Sequence, residues 1–159
     1  MGAAISFGNN SKKATFKVTI LPCMHTTNYY NTFIEVAEDC PVATAEMPPQ
    51  KGDAKTVANL QFEMLNGKPY QFTSDEVLFS VFAAKNEVPE EELDAERQKF
   101  FSKGQACFRA LPLTKRYGWG VHANEEGRIA LVPLGSGEYE TLVGDGRLKV
   151  VKAMRSKKG

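Results

Sequence analysis

Residue types that most often announce chemistry are scarce in this sequence. Its 159 residues include three cysteines, two histidines and one tryptophan. Cys23, Cys40 and Cys107 are odd in number and widely spaced, which excludes a paired disulfide framework and any Cys-x-x-Cys metal or redox motif. Free thiols suit a reducing compartment, so the expected location is cytoplasmic. His25 and His122 lie 97 residues apart, leaving no metal-ligand spacing, and neither a metal nor a cofactor is expected. There is no phosphate-cradling glycine loop, nucleophile elbow or dinucleotide fingerprint. No apolar run approaches the ~18–20 residues of a membrane-spanning helix, and the N-terminus lacks the uninterrupted hydrophobic segment of a secretory signal. Internal repeats and low-complexity tracts are absent as well.

What is present suits one compact domain. A 42% apolar content is enough for a single core at this length. The net charge of +1 hides an uneven distribution: residues 35–96 hold fourteen acids against four bases, residues 97–120 hold six bases and no acid, and residues 147–159 hold six more bases and no acid. Such blocks attract anions unless acidic and basic parts of one fold neutralise each other.

Residues 1–23 read as an N-terminal extension, poorly ordered or added, with Thr15-Phe-Lys-Val-Thr-Ile-Leu21 alternating loosely like a strand. The character changes at Met24, consistent with a start there. Met1-Gly2-Ala3-Ala4-Ile5-Ser6, with lysines behind it, also fits the short N-myristoylation pattern. The domain itself is expected over residues 24–156, followed by a frayed basic tail at 157–159.

Within the domain, Thr32-Phe-Ile-Glu-Val-Ala37 alternates like a strand. Pro41, Pro48 and Pro49 keep residues 38–53 extended or looped. Residues 55–72 leave two readings open. Val57, Leu60, Gln61, Met64 and Leu65 recur at helical spacing ahead of an Asn66-Gly67 cap, but the same Asn-Gly suits a hairpin turn. Thr73-Ser-Asp-Glu76 is a capping box for a helix with Val77, Leu78, Val81 and Phe82 in one apolar stripe. Pro89 and three glutamates open another helix, which buries Leu93, Phe100 and Phe101 and stops at Gly104. Tyr117–Ala123 and Gly127–Leu134 flank the turn residues Asn124-Glu-Glu-Gly127 as a hairpin. Ser136 caps a short helix over Glu138–Val143, and Arg147–Met154 alternates as a last strand. The fold class is therefore α+β: a single domain with helices packed against a small, mainly antiparallel sheet.

The densest cluster of candidate site residues falls between Phe100 and His122. In a strand, Tyr117, Trp119 and Val121 point one way, and Gly118, Gly120 and His122 the other. Glycines there either admit a ligand or allow another chain segment to cross closely. Lys115 and Arg116 supply charge beside the aromatic rings of Tyr117 and Trp119, a combination suited to anions or to stacked bases. Cys107 lies in the same basic stretch, and a nucleophilic thiol there needs a base such as His122 within reach.

Several stretches together resemble a family of small, uncharacterised microbial proteins, classed as a domain of unknown function. They are Met24-His-Thr-Thr-Asn-Tyr-Tyr30, Thr32-Phe-Ile-Glu-Val-Ala-Glu-Asp-Cys-Pro41, Ala58-Asn-Leu-Gln-Phe-Glu-Met64, Thr73-Ser-Asp-Glu-Val-Leu-Phe79, Phe100-Phe-Ser-Lys-Gly-Gln-Ala-Cys107, Pro112-Leu-Thr-Lys-Arg-Tyr-Gly-Trp-Gly120 and Val151-Lys-Ala-Met-Arg-Ser156. The resemblance spans residues 24–156, implies a single domain beginning near Met24, and brings no activity, cofactor or catalytic residue with it.

The leading functional expectation is a binding module for a small anionic or aromatic ligand. It places the ligand where the Phe100–Phe108 segment meets the Tyr117–His122 strand, with Lys115 and Arg116 giving charge, Tyr117 or Trp119 a flat surface and His122 a switchable donor. It requires the glycine side of that strand to be open. Two alternatives stand beside it. One is nucleic-acid binding through the basic segments 97–120 and 147–158, against which the near-neutral total charge weighs. The other is an enzyme using Cys107 and His122. A free sheet edge would also suit a homodimer.

Overall fold

A computed structural model describes residues 24–156. The extension at 1–23 with its acylation pattern, and the tail at 157–159, lie outside the described residues. The elements run β1 (Thr32–Glu35), α1 (Val57–Leu65), β2 (Phe72–Thr73), α2 (Ser74–Lys85), a 3₁₀ turn leading into α3 (Leu93–Phe101), a second 3₁₀ turn (Phe108–Ala110), α4 (Pro112–Lys115), β3 (Trp119–Ala123), β4 (Arg128–Pro133), α5 (Gly137–Val143) and β5 (Lys149–Lys152). The five strands form one sheet in the order β2-β4-β3-β1-β5. All neighbours are antiparallel except β1 and β5, which run parallel. The architecture is α+β, as the sequence leads one to expect.

Helix, not hairpin, is what residues 57–65 adopt. Thr56 and Asn59 close a capping box at its start, and the amide of Asn66 donates back to the carbonyl of Phe62 at its end. Asn59 also donates through Nδ2 to the Pro48 carbonyl at 2.9 Å, tying the proline-rich loop to the helix. The second capping box forms as its sequence predicts, with Thr73 accepting from the amide of Glu76. The following helix buries less than its sequence suggests: of Leu93, Phe100 and Phe101, only Phe101 is fully enclosed.

Strand alternation divides the core in two. On one face Val121 pairs across the sheet with Ile34 and Leu131, under Phe62 and Leu65 of α1, Val77, Leu78 and Val81 of α2, and Phe108 and Leu113. On the other face His122 pairs with Phe33 and Ala130, and a smaller cluster of Phe33, Val132 and Tyr139 sits beneath α5. The segment before β1 is pinned to the start of α2 by Asp75, whose carboxylate accepts from the Thr27 amide and from the hydroxyls of Thr27 and Thr26, each at 2.7 Å.

The glycine side of β3 is filled at its glycines, although His122 on the same side borders a hollow of about 510 Å³ with Asn124, Asp145 and Arg147, so the expected open face is closed in part. A methyl group at Gly120 would lie 2.7 Å from Phe33 Cζ and 2.9 Å from Tyr139 Cε2. At Gly118, φ is +78°, and a Cβ would meet Val42 at 2.9 Å and the backbone of Thr44 and Ala45 at 3.0 Å. Both glycines serve close packing: one admits two rings, the other a crossing loop.

This packing gives a direct expectation. Gly120→Ala forces Phe33 or Tyr139 out of place and should cost about 1–3 kcal/mol, as overpacking does. Gly104→Ala, where nothing lies within 4 Å of the added carbon, should stay within about 0.5 kcal/mol of the parent. Urea unfolding of both variants checks this, and equal midpoints for the two would contradict the packing described.

Candidate functional site

The residues expected to form one site separate into four places. Lys115, Arg116 and Tyr117 stay together. Pro112 opens α4, whose Leu113 and Thr114 are buried, the Thr114 hydroxyl donating to the Phe108 carbonyl. That anchoring leaves Lys115, Arg116 and Tyr117 lining a hollow of about 370 Å³ opposite Thr56, Val57 and Ala58 at the start of α1. Neither cation has an ion-pair partner among the described residues.

Trp119 turns to the core face instead. Its ring packs 5.2 Å from that of Phe62, and its Nε1 donates to the Glu46 carbonyl at 2.8 Å. Its indole thus anchors the 38–53 loop as well as filling space.

Cys107 and His122 do not meet. The Cys107 thiol is 3.4 Å from the Tyr29 hydroxyl, on the helix-covered side of the sheet with Phe108. Burial and the Cys107 contact push the Tyr29 hydroxyl above its ordinary pKa. His122 lies on the opposite face, where its Nδ1 is 2.6 Å from the Tyr70 hydroxyl. The sheet therefore stands between thiol and imidazole. Tyr70 holds this contact from a left-handed backbone position, φ 59°, which is uncommon for a tyrosine.

Many of the basic residues behind the nucleic-acid expectation are engaged within the fold. The Arg97 guanidinium lies 4.9 Å from the Phe101 ring centre, Lys99 pairs with Glu96, and Arg109 donates to the Lys152 carbonyl. Arg147 pairs with Asp145, and Lys152 with Glu38. Among the described residues no group of three or more His, Cys, Asp or Glu side chains is placed to hold a metal ion.

A different cavity has the properties of a ligand site. Between α1, α2 and the chain from Phe100 to Leu111 lies a largely apolar pocket of about 250 Å³, walled by Val57, Leu78, Val81, Phe82, Phe100 and Leu111. Gln61 lines it at 1% exposure, and its Oε1 has no hydrogen-bond partner. A buried, unpaired acceptor costs about 1–3 kcal/mol. At the mouth, Gln105 donates to the Phe100 carbonyl and Lys85 to the Lys55 carbonyl. These two contacts fix the rim by closing off loose backbone ends. The sequence carries a signal for this site: Gln61 falls at helical spacing with Val57 and Leu65, a polar residue on the side of α1 that buries Ala58, Phe62 and Leu65.

A family model with the description "Family of unknown function (DUF6157)" matches residues 24–159. No curated protein and no solved structure matches the chain.

The Tyr70–His122 pair should leave a signature in pH. Burial lowers the imidazole pKa from its ordinary 6.5, outweighing the opposite pull of Glu138 and Asp145. The folded protein thus favours neutral His122, and in the tautomer with Nδ1 unprotonated the Tyr70 hydroxyl donates to it. Above pH 6.5 this contribution to stability is complete; as pH falls below that value the unfolded chain takes up the proton first and stability declines. Tyr70→Phe removes the donor that favours the neutral ring, so an NMR titration should show the His122 pKa rising in the variant. An unchanged pKa would contradict the pairing.

Proposed function

We propose that this chain, which belongs to that family of unknown function, is a binding module for a small, largely apolar molecule bearing one hydrogen-bond donor. The pocket between α1, α2 and the Phe100–Leu111 segment would receive it. One observation supports the reading: Gln61, which lines this apolar cavity, is buried and its Oε1 has no hydrogen-bond partner. A leucine of similar size would pack there without that penalty, so a glutamine is explained by a partner that arrives from outside. At ~30 Å³ for each water-sized group, 250 Å³ accommodates about eight, the scale of a single substituted ring. Aromatic walls from Phe82 and Phe100 suit such a ring.

This reading keeps the Phe100–Phe108 half of the expected junction and the aromatic character of the expected ligand. It moves the site to the helical side of the sheet, away from Trp119 and His122. The unpaired thiols of Cys40 and Cys107 support work in a reducing, cytoplasmic setting.

Thermal unfolding with 4-ethylphenol and with ethylbenzene tests the proposal, since the two differ by the donor. The parent protein should be stabilised by both and more by the phenol, by about 2.7 kcal/mol once the phenol reaches a hundred times its Kd. Gln61→Leu should be about 1 kcal/mol more stable than the parent without ligand and should lose the preference for the phenol. Ala106→Trp, placed at the exposed rim, should block both ligands. No stabilisation of the parent by either compound would overturn the reading.

A further inference from the structure

The apolar pocket and the cationic hollow are neighbours. Val57 lines both, and the consecutive residues Ala110 and Leu111 contribute one to each. A molecule seated in the apolar pocket against Val57 therefore borders the hollow that Lys115 and Arg116 line. We infer that the natural ligand is an amphipathic anion: an aryl body with a donor at one end, for Gln61, and a carboxylate or similar anion at the other, for Lys115, Arg116 and the first turn of α1. This inference rests on the binding reading above and specifies the ligand class.

Two features support the anionic end. Lys115 and Arg116 are adjacent, reach the surface, and have no acidic partner among the described residues. The α1 capping box satisfies the amides of Thr56 and Asn59, but those of Val57 and Ala58 have no partner among the described residues. Unpaired first-turn amides, together with the positive end of the helix dipole, favour an anion at that position. Buried Gln61 supplies the independent point of attachment at the far end.

The helix also sets the length of the ligand. Gln61 follows Val57 by four residues, one turn of α1 and ~6 Å along its axis at 1.5 Å per residue. Adding the reach of each side group, donor and anion should stand roughly 6–9 Å apart. A para-hydroxyphenyl ring with a two-carbon acid side chain has this form. A long acyl chain does not, because it would fill the pocket yet offer Gln61 no donor.

Calorimetric titration of the full chain with 3-(4-hydroxyphenyl)propanoate, its methyl ester and 4-ethylphenol tests the inference. The acid should bind the parent about tenfold more tightly than the ester at low salt, with the gap narrowing as salt is added. The double variant Lys115→Ala/Arg116→Ala should bring the acid to the affinity of the ester, and 4-ethylphenol, which has no polar group at that end, should bind it as it binds the parent. If the acid and ester bind the parent equally while 4-ethylphenol still binds, the anionic end is wrong and the apolar pocket stands. If none of the three binds, both readings fail together. If the acid alone is tighter but the double variant leaves the gap intact, the cations assigned to it are wrong and the inference falls.

Discussion

Phe33 and Tyr139 can meet over the middle of the sheet only because position 120 carries no side chain. Their rings stand edge to face, 5.0 Å apart, and the Tyr139 hydroxyl accepts from the Val36 amide at 2.9 Å. Burial pushes that hydroxyl up to about 12, so it stays protonated and uncharged throughout the ordinary pH range. This contact locks α5 onto one face of the sheet. It also closes the middle of that face, leaving hollows toward its ends, one of them beside His122 and Asp145. The largely apolar opening lies on the other side, where α1, α2 and the chain after α3 meet.

Two buried polar groups differ in how far the fold satisfies them. Asp75 is buried with both carboxylate oxygens engaged, and its backbone amide donates to Asn28 Oδ1, so it completes a junction. Gln61 is buried more deeply and has an acceptor with nothing to receive. The first arrangement stabilises the fold; the second lowers its stability, a cost that the proposed ligand's donor would offset. A cost of that kind is retained at sites where function requires it.

Local signals carried most of the fold. The capping residues Thr73 and Ser136 and the turn at Asn124–Gly127 mark their elements because each satisfies free amides by side-chain chemistry within a few residues. Long-range arrangement was less legible. The two-residue strand β2 is too short to show periodicity, and the parallel pairing of β5 with β1 depends on α5 folding across the sheet. The clustering of charge and aromatics near Trp119 drew attention to a segment whose members then split between two faces, since alternation in a strand separates neighbours. Gln61 was visible in the helical stripe, but its lack of a partner depends on α2 and the Phe100–Leu111 chain, which only the folded molecule brings beside it.

The central claim is that the Gln61 side chain is the polar anchor of a ligand pocket. Its most direct test is an NMR titration of the parent protein with 4-ethylphenol, following the Gln61 side-chain amide and the methyl groups of Leu78 and Val81. These signals should move together and saturate, with the His122 ring resonances unaffected. Saturable shifts centred on His122 and Asp145, with Gln61 unmoved, would contradict the account.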